Sequence, residues 1–311
     1  MKIVYLDSAT FGDFPLDPIA ELGELVCYPT TTAEEALQRV SDAEVLIVNK
    51  VRVTSELLDA APKLKLICEA ATGVNNIDLE AAAARGIPVR NVAGYSTASV
   101  AQLAFTQVLR LFCDADRYDR WVKSGDYTRS GIFTEVSDPF VELAGKTMGI
   151  IGMGTIGQAV ARIAEAFGMK VIYYSTSGTS HCKDYPSVSL DELLAQSDAV
   201  SVHCPLNERT KGLISISELS RMKPSAVIVN MARGGIIVEK DLAEAIDRGI
   251  ISGAAVDVYE CEPMKEGHPY LGISKPERLL LTPHVGWASR EAIIRLIGMV
   301  ADNIKSVFGL H

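Results

Sequence analysis

The sequence predicts an α/β protein built from two Rossmann-like, doubly wound parallel-sheet domains, one inserted into the other. Three observations predict it. Short apolar, β-rich runs alternate with helical patterns from the N-terminus to about residue 97. The alternation restarts after one long helical stretch at 97–111. In that second block a glycine-rich turn, Gly152-Met153-Gly154-Thr155-Ile156-Gly157, joins a strand pattern to a helix pattern. A chain of 311 residues also exceeds what one compact core usually organises.

In the first block, residues 3–6, 25–28, 45–48, 64–68 and 89–92 read as strands. Between them 32–40, 55–60 and 79–85 read as helices, and Thr32 with Glu35 has the form of a capping box. Strands separated by helices imply a parallel sheet covered on both faces. In the second block the strands fall at 148–151, 171–174, 199–203, 226–230, 253–256 and 279–281. Helices at 156–167, 190–197 and 240–248 lie between them, and 289–308 is a last amphipathic helix. Residues 114–143 fit neither pattern. They carry Trp121, Phe133 and Phe140 among polar residues, and read equally as an irregular surface excursion or an oligomerisation arm.

Composition narrows the partners. A net charge of −9 and a pI near 5.2 argue against nucleic acid, which wants a basic face. The cysteines, at 27, 68, 113, 182, 204 and 261, show no metal-ligand spacing and read as reduced, buried thiols of a cytoplasmic protein. The first residues, MKIVYLD, read as a strand and not as a signal peptide, and no apolar run reaches membrane-spanning length.

A bare GxGxxG is weak evidence, but a strand before it and a helix after it make a dinucleotide site. Gly152 permits the tight turn, Gly154 lets the backbone approach a pyrophosphate, and Gly157 lets helix and strand pack closely. The helix N-terminus then offers N–H groups to the phosphates. The next strand should end in an acid if the cofactor is NAD. This chain has Ser175-Thr176-Ser177-Gly178 there, and no arginine stands beside it in sequence. The missing arginine favours NAD, and NADP stays open.

Three later segments supply a cation, a carboxylate and an imidazole. Arg233, in Met231-Ala232-Arg233-Gly234-Gly235, follows one strand. Asp257 ends the next, and Glu262 follows it in a proline-bounded loop. His284, in Thr282-Pro283-His284-Val285-Gly286, follows the last. Ligands of open α/β sheets bind at such strand ends. Arginine's planar fork matches a carboxylate. A carboxylate beside an imidazole favours its charged form, which can give a proton to a developing alkoxide. His203, before Cys204-Pro205, reads as lining the cofactor cleft, whereas His181, His268 and His311 read as surface residues.

Together these residues resemble the D-isomer-specific 2-hydroxyacid dehydrogenases, and the resemblance covers nearly the whole chain. It includes Ala71-Thr72-Gly73-Val74-Asn75-Asn76-Ile77-Asp78, Ser96-Thr97-Ala98-Ser99-Val100-Ala101-Gln102, Cys204-Pro205-Leu206-Asn207-Glu208-Arg209-Thr210 and Ala255-Val256-Asp257-Val258-Tyr259. Gln102 and Trp287 look most like the glycerate dehydrogenase/hydroxypyruvate reductase branch. The resemblance implies a substrate domain of 1–97 plus 287–311 and a dinucleotide domain of 98–286, paired as a homodimer through an arm at 114–143. It implies catalysis by Arg233, Glu262 and His284. Substrate would be held by Lys50, Thr72, Gly73, Val74, Arg233 and Trp287. Beyond the glycine turn, the cofactor would be met by Thr97, Ser175, Thr176, His203, Cys204, Pro205, Thr210, Met231, Ala232, Asp257 and Gly286, with Asp257 on the nicotinamide amide. The implied reaction is hydride transfer between a nicotinamide cofactor and a small 2-keto or D-2-hydroxy acid, with hydroxypyruvate or glyoxylate as substrate. Two departures stand out: Ser175 replaces the usual aspartate, and Ser137-Asp138-Pro139-Phe140 lacks a tryptophan that some reductases carry. The rivals are formate or phosphite oxidation on the same scaffold, and a corepressor-like nucleotide sensor. The Glu262–His284 pair argues against formate, which releases no alcohol proton.

Overall fold

The structure is a computed structural model that describes residues 1–310, so His311 lies outside the described residues. The chain divides into two compact units. One comprises Met1–Ser96 with the segment from Ala288 onward, and the other Thr97–Trp287.

The first unit runs β1 (Lys2–Tyr5), α1 (Asp17–Ala20), β2 (Glu24–Cys27), α2 (Ala33–Arg39), β3 (Val45–Val48), α3 (Ser55–Asp59), β4 (Leu66–Glu69), α4 (Leu79–Ala84) and β5 (Val89–Arg90). Its five strands are all parallel, in the order β2-β1-β3-β4-β5. β3 and β4 are buried along their whole length, as strands covered on both faces must be. Val4, Leu46, Val48 and Ile67 of the sheet pack with Ala36, Leu57, Leu58 and Ala82 of the helices. The capping box at α2 is formed: Thr32 accepts from the Glu35 N–H, and Glu35 accepts from the Thr32 N–H.

The second unit begins with α5 (Thr97–Cys113), α6 (Ala115–Lys123) and α7 (Asp126–Ser130). It continues with β6 (Thr147–Ile151), α8 (Thr155–Ala166), β7 (Lys170–Tyr174), α9 (Leu190–Gln196), β8 (Ala199–Val202), α10 (Ile216–Leu219), β9 (Val227–Asn230), α11 (Glu239–Arg248), β10 (Gly253–Val256) and β11 (Leu279–Leu281). The six strands are parallel in the order β11-β10-β9-β8-β6-β7. Each face of this sheet has its own core. Val200, Val202 and Ile228 pack with Leu193, Leu219 and Leu242 of α9 to α11. Ile150, Val229 and Ala255 pack with Ala104, Val108, Val160 and Ala161 of α5 and α8. The closing helix α12 (Arg290–Phe308) belongs to the first unit, and Ser289 caps it by accepting from the Ala292 N–H.

Most sequence-derived boundaries sit within two residues of the observed ones, and 45–48, 253–256 and 279–281 coincide with β3, β10 and β11. Residues 114–143 are not simply irregular, because α6 and α7 occupy their first half. Asp114 separates α5 from α6 with a left-handed φ of 45°. The thiols are free but not uniformly buried: Cys27 and Cys261 are exposed, and Cys113 is half-buried. Among the described residues no helix is long and apolar enough to cross a membrane, and no cluster of three or more His, Cys, Asp or Glu could hold a metal ion.

Candidate active site

The strand order places β9, β10 and β11 side by side, so the loops after them leave one sheet edge together. Arg233 lies on the first of these loops. Asn230 shapes it from both sides: its side-chain oxygen accepts from the Ala232 N–H at 3.0 Å, and its amide donates to the Arg233 carbonyl at 3.0 Å. The neighbouring Gly234 has no room for a side chain, because a Cβ there would stand 2.0 Å from the Tyr259 carbonyl carbon. The Arg233 loop is therefore pressed against the start of the Glu262 loop.

The Glu262 carboxylate faces two ways. Oε1 accepts from the Tyr259 N–H at 3.1 Å, and Oε2 lies 2.7 Å from His284 Nδ1. That contact makes Nδ1 the protonated nitrogen that donates to the carboxylate, which leaves Nε2 as the outward-facing nitrogen. His284 has a φ of 54°, and its side chain is 23% exposed. A non-glycine residue in the left-handed region costs on the order of 1–3 kcal/mol, so surrounding contacts must hold it there.

Asp257 does so. Its carboxylate is buried and accepts from the Thr282 hydroxyl at 2.6 Å, the Val285 N–H at 2.9 Å and the Gly286 N–H at 2.8 Å. These three donors flank His284 on both sides. Tyr259 adds a fourth tie, its hydroxyl donating to the Thr282 carbonyl at 2.8 Å. A second carboxylate–imidazole pair, Glu239 with His268 at 2.8 Å, supports the Glu262 loop, because Glu239 also accepts from the Glu260 N–H at 2.8 Å. His268 is thus a buried brace and not the surface residue that its sequence context suggests; its side chain is 8% exposed. His181 is exposed.

The glycine turn fits a dinucleotide. Gly152 has a φ of 95°, and a Cβ on it would meet the Cys204 backbone nitrogen at 2.7 Å. A Cβ on Gly157 would meet the Gly152 carbonyl at 2.3 Å, so α8 lies hard against the turn. Above Gly154 there is nothing within 4 Å, and no side chain caps the first turn of α8. An open backbone with uncapped N–H groups is what a pyrophosphate requires. Met153, Thr155 and Ile156 complete this turn, with Ile156 packed against the core.

The other expected cofactor residues divide into two sets. Thr176 and Pro205 line a cavity of about 490 Å³ with Ser177, Asn207, Glu208 and Arg209. Ser175 donates to the Thr179 carbonyl at 2.7 Å. The second set braces backbone. Thr210 is fully buried, and its hydroxyl donates to the Pro205 carbonyl at 2.6 Å while accepting from the Asn207 N–H at 2.8 Å. Cys204, Met231 and Ala232 are buried, and the buried Gly286 carbonyl accepts from the Ser99 hydroxyl at 2.6 Å. Thr97 opens α5, and Trp287 is half-buried at the end of this unit. His203 shares a hydrogen bond with Ser201 at 2.7 Å, its Nδ1 has no partner, and burial pushes it down to about 4, so it is neutral at pH 7.

In the first unit, Asp7 gathers the loop after β3. Its carboxylate accepts from the N–H groups of Asn49, Lys50 and Val51 at 2.6–3.1 Å. Asn76 ties that loop to the next: its amide donates to the Val51 carbonyl at 3.1 Å and to Glu69 at 2.8 Å. Thr72 donates to the Val92 carbonyl at 3.0 Å, and the Val74 carbonyl accepts from the Ile77 N–H at 3.1 Å, with Gly73 between them. Glu69 is fully buried with one oxygen unpartnered. Burial, reinforced by the Asp7 charge, pushes its carboxyl up to about 8. Sequence reasoning missed Asp7 and Glu239, whose partners lie 21 or more residues away, and Glu69, which is buried beside Asn76 seven residues on.

Comparison with known proteins identifies the family. The family model "D-isomer specific 2-hydroxyacid dehydrogenase, NAD binding domain" matches residues 105–286. A hydroxypyruvate reductase of Blautia hydrogenotrophica is 36% identical over 98% of this chain and 96% of its own length. A glycerate dehydrogenase of Methylorubrum extorquens is 38% identical over 98% and 95%. The solved structure of an NADPH-dependent glyoxylate/hydroxypyruvate reductase from Sinorhizobium meliloti superposes with a TM-score of 0.84 at 28% identity, covering 99% of this chain and 94% of that one. With the glycine turn, the Glu262–His284 pair and the Arg233 loop all in place, the chain belongs to the D-isomer specific 2-hydroxyacid dehydrogenases, oxidoreductases that work with a nicotinamide dinucleotide.

Proposed function

We propose that this chain reduces small 2-keto acids to D-2-hydroxy acids, with hydroxypyruvate and glyoxylate as substrates and D-glycerate and glycolate as products. The observation that carries the proposal is the Glu262–His284 contact at 2.7 Å, held on a loop that Asp257 fixes from both sides. The names of the relatives that span the chain support the substrate choice.

A bound reduced nicotinamide supplies the hydride for C2 of the keto acid. His284 Nε2 donates a proton to the carbonyl oxygen, so that carbonyl, hydride and proton balance as one hydroxyl group. Glu262 keeps Nδ1 protonated and steadies the charged imidazole. Arg233 holds the substrate carboxylate and polarises the carbonyl. Lys50, Thr72, Gly73, Val74 and Trp287 are the further substrate-holding residues of this reading. The glycine turn, Thr97, His203, Met231 and Ala232 serve the dinucleotide, and Asp257 receives its carboxamide. The unit that includes residues 1–96 takes the substrate role. The exposed thiols Cys27 and Cys261 suit reducing cytoplasm. Residues 114–143 serve as the arm of a homodimer, presenting Ile132, Phe133, Val136 and Phe140 to a second copy; Phe133 is 89% exposed.

His284→Gln tests the proposal. With hydroxypyruvate and either reduced dinucleotide, kcat should fall by roughly 10²–10⁴-fold while dinucleotide binding persists. Unchanged turnover refutes the proton-donor role. If no 2-keto acid oxidises either reduced dinucleotide, the substrate reading fails and the nucleotide-sensing regulator takes its place. If formate or phosphite reduces NAD⁺ instead, the rival oxidation does.

A further inference from the structure

The loop after β7 contains no acid. Ser175, Thr176, Ser177 and Thr179 fill it with hydroxyl groups, and it closes on itself through bonds from Ser175 and Ser177 to the Thr179 carbonyl, at 2.7 and 3.1 Å. In a dinucleotide-binding sheet the adenosine ribose lies at this strand end. A carboxylate here would take the ribose hydroxyls and repel a phosphate. Hydroxyl groups bond ribose hydroxyls more weakly and carry no charge to repel a phosphate, so what decides the matter is whether a cation reaches the loop.

One does, from the far side of the cavity. Arg209 Nη1 donates to the Ser177 carbonyl at 3.3 Å, across 32 residues of sequence. The guanidinium comes from the loop after β8, which is stiff for its length. Thr210 ties Pro205 to Asn207 there, and Asn207 Oδ1 accepts from the Arg209 N–H at 2.9 Å. Thr176, Ser177 and Arg209 line the same 490 Å³ cavity. A guanidinium has five N–H donors in a planar fork, so one bond to Ser177 leaves donors for an anion. Glu208 lines the cavity as well and opposes an anion there. Contact hydrogen bonds from a charged donor outweigh one exposed carboxylate, so the balance favours binding but modestly.

We propose that Arg209, with the Thr176 hydroxyl, is a binding site for a phosphate on the ribose 2′-oxygen, so that this enzyme accepts NADPH as well as NADH and binds NADPH more tightly. The inference rests on the nicotinamide dinucleotide reading and deepens it by assigning the ribose subsite.

The test is equilibrium binding, without substrate. Titrations of the full chain with NADPH and NADH, followed by nicotinamide fluorescence, should give a Kd for NADPH about tenfold lower. Adenosine 2′,5′-bisphosphate should displace NADH, and adenosine 5′-monophosphate should do so about tenfold less well. Arg209→Gln should bring both ratios close to one, and Glu208→Gln should widen them. Equal or tighter binding of NADH by the wild-type chain overturns the subsite and leaves the dinucleotide reading standing. An Arg209→Gln variant that keeps the wild-type ratio also overturns it. Failure of both dinucleotides to bind sinks the two readings together.

Discussion

Asp257→Asn isolates what the loop after β11 contributes to turnover. The wild-type carboxylate is 2% exposed and accepts from Thr282, Val285 and Gly286. An asparagine of the same shape can keep its oxygen toward Thr282 and Val285. Its amide nitrogen then faces the Gly286 N–H, donor against donor, where Oδ2 had accepted at 2.8 Å. A hydrogen bond to a charged group contributes about 1.5–3 kcal/mol, and the remaining two weaken when the acceptor loses its charge. Meanwhile His284 still carries the cost of its left-handed backbone. A net shift of about 3 kcal/mol against the held loop follows, or about 100-fold in the equilibrium that seats His284. The assay is steady-state reduction of hydroxypyruvate beside a dinucleotide titration. kcat/KM should fall about 100-fold, with most of the loss in kcat. A kcat/KM within threefold of wild type refutes the reasoning. So does a loss that lies wholly in dinucleotide affinity, which would leave Asp257 its carboxamide role alone and deny it the anchoring of the loop.

Two further outcomes are expected. The buried Glu69 carboxyl, raised to about 8, stays protonated in the folded chain at pH values where the unfolded chain ionises it near 4.5. Unfolding free energy should therefore fall as pH rises from about 4.5 to 8 and level off above, by about 5 kcal/mol in total at about 1.4 kcal/mol per unit. Urea melts of Glu69→Gln between pH 5 and 8 should lack that slope; identical slopes in both chains would exclude Glu69 as its source. The arm makes a hydrodynamic prediction: wild type should sediment as a dimer and Phe133→Asp with Ile132→Asp as a monomer, whereas a monomeric wild type removes the arm's role.

The parts of the molecule legible in the sequence are those written in local pattern. Val45-Leu46-Ile47-Val48 and Gly253-Ala254-Ala255-Val256 are buried runs whose length and composition suffice to mark strands. The turn at Gly152 is legible because its glycine spacing falls within one strand–turn–helix unit, although the Cys204 backbone that crowds Gly152 comes from the loop after β8. The series Arg233, Glu262 and His284 is legible because consecutive parallel strands deliver their following loops to one edge. What stays hidden depends on pairs far apart in sequence. Arg209 reaches the β7 loop only once β8 lies near it, so its contact with Ser177 leaves no signal in the sequence around Ser175. His268 reads as a surface residue because Glu239, its partner, stands 29 residues away. α6 and α7 escape pattern reading for another reason. Both are short, neither buries a residue, and neither has a side-chain cap.

The two sheets also show why topology alone cannot assign the chemistry. Both begin with the same winding, β2-β1-β3 in one unit and β7-β6-β8 in the other, so each has a switch point beside its first strand. In the second unit that crevice is open: Gly154 has nothing within 4 Å, and the twelve-residue α8 points an uncapped N-terminus into the turn. In the first unit the corresponding place is filled from within. Asp7 follows β1 and puts its carboxylate on three consecutive N–H groups, those of Asn49, Lys50 and Val51. Such a run of N–H groups is an anion-binding nest, and here the anion is the chain's own. Only a four-residue 3-10 turn, Ser8–Phe11, comes next, where a nucleotide site would need a helix. One fold thus gives an open turn where glycine clears the backbone, and a closed, braced loop where aspartate occupies it. The difference lies in a few side chains at equivalent strand ends, and from such residues, not from the shared fold, function has to be argued.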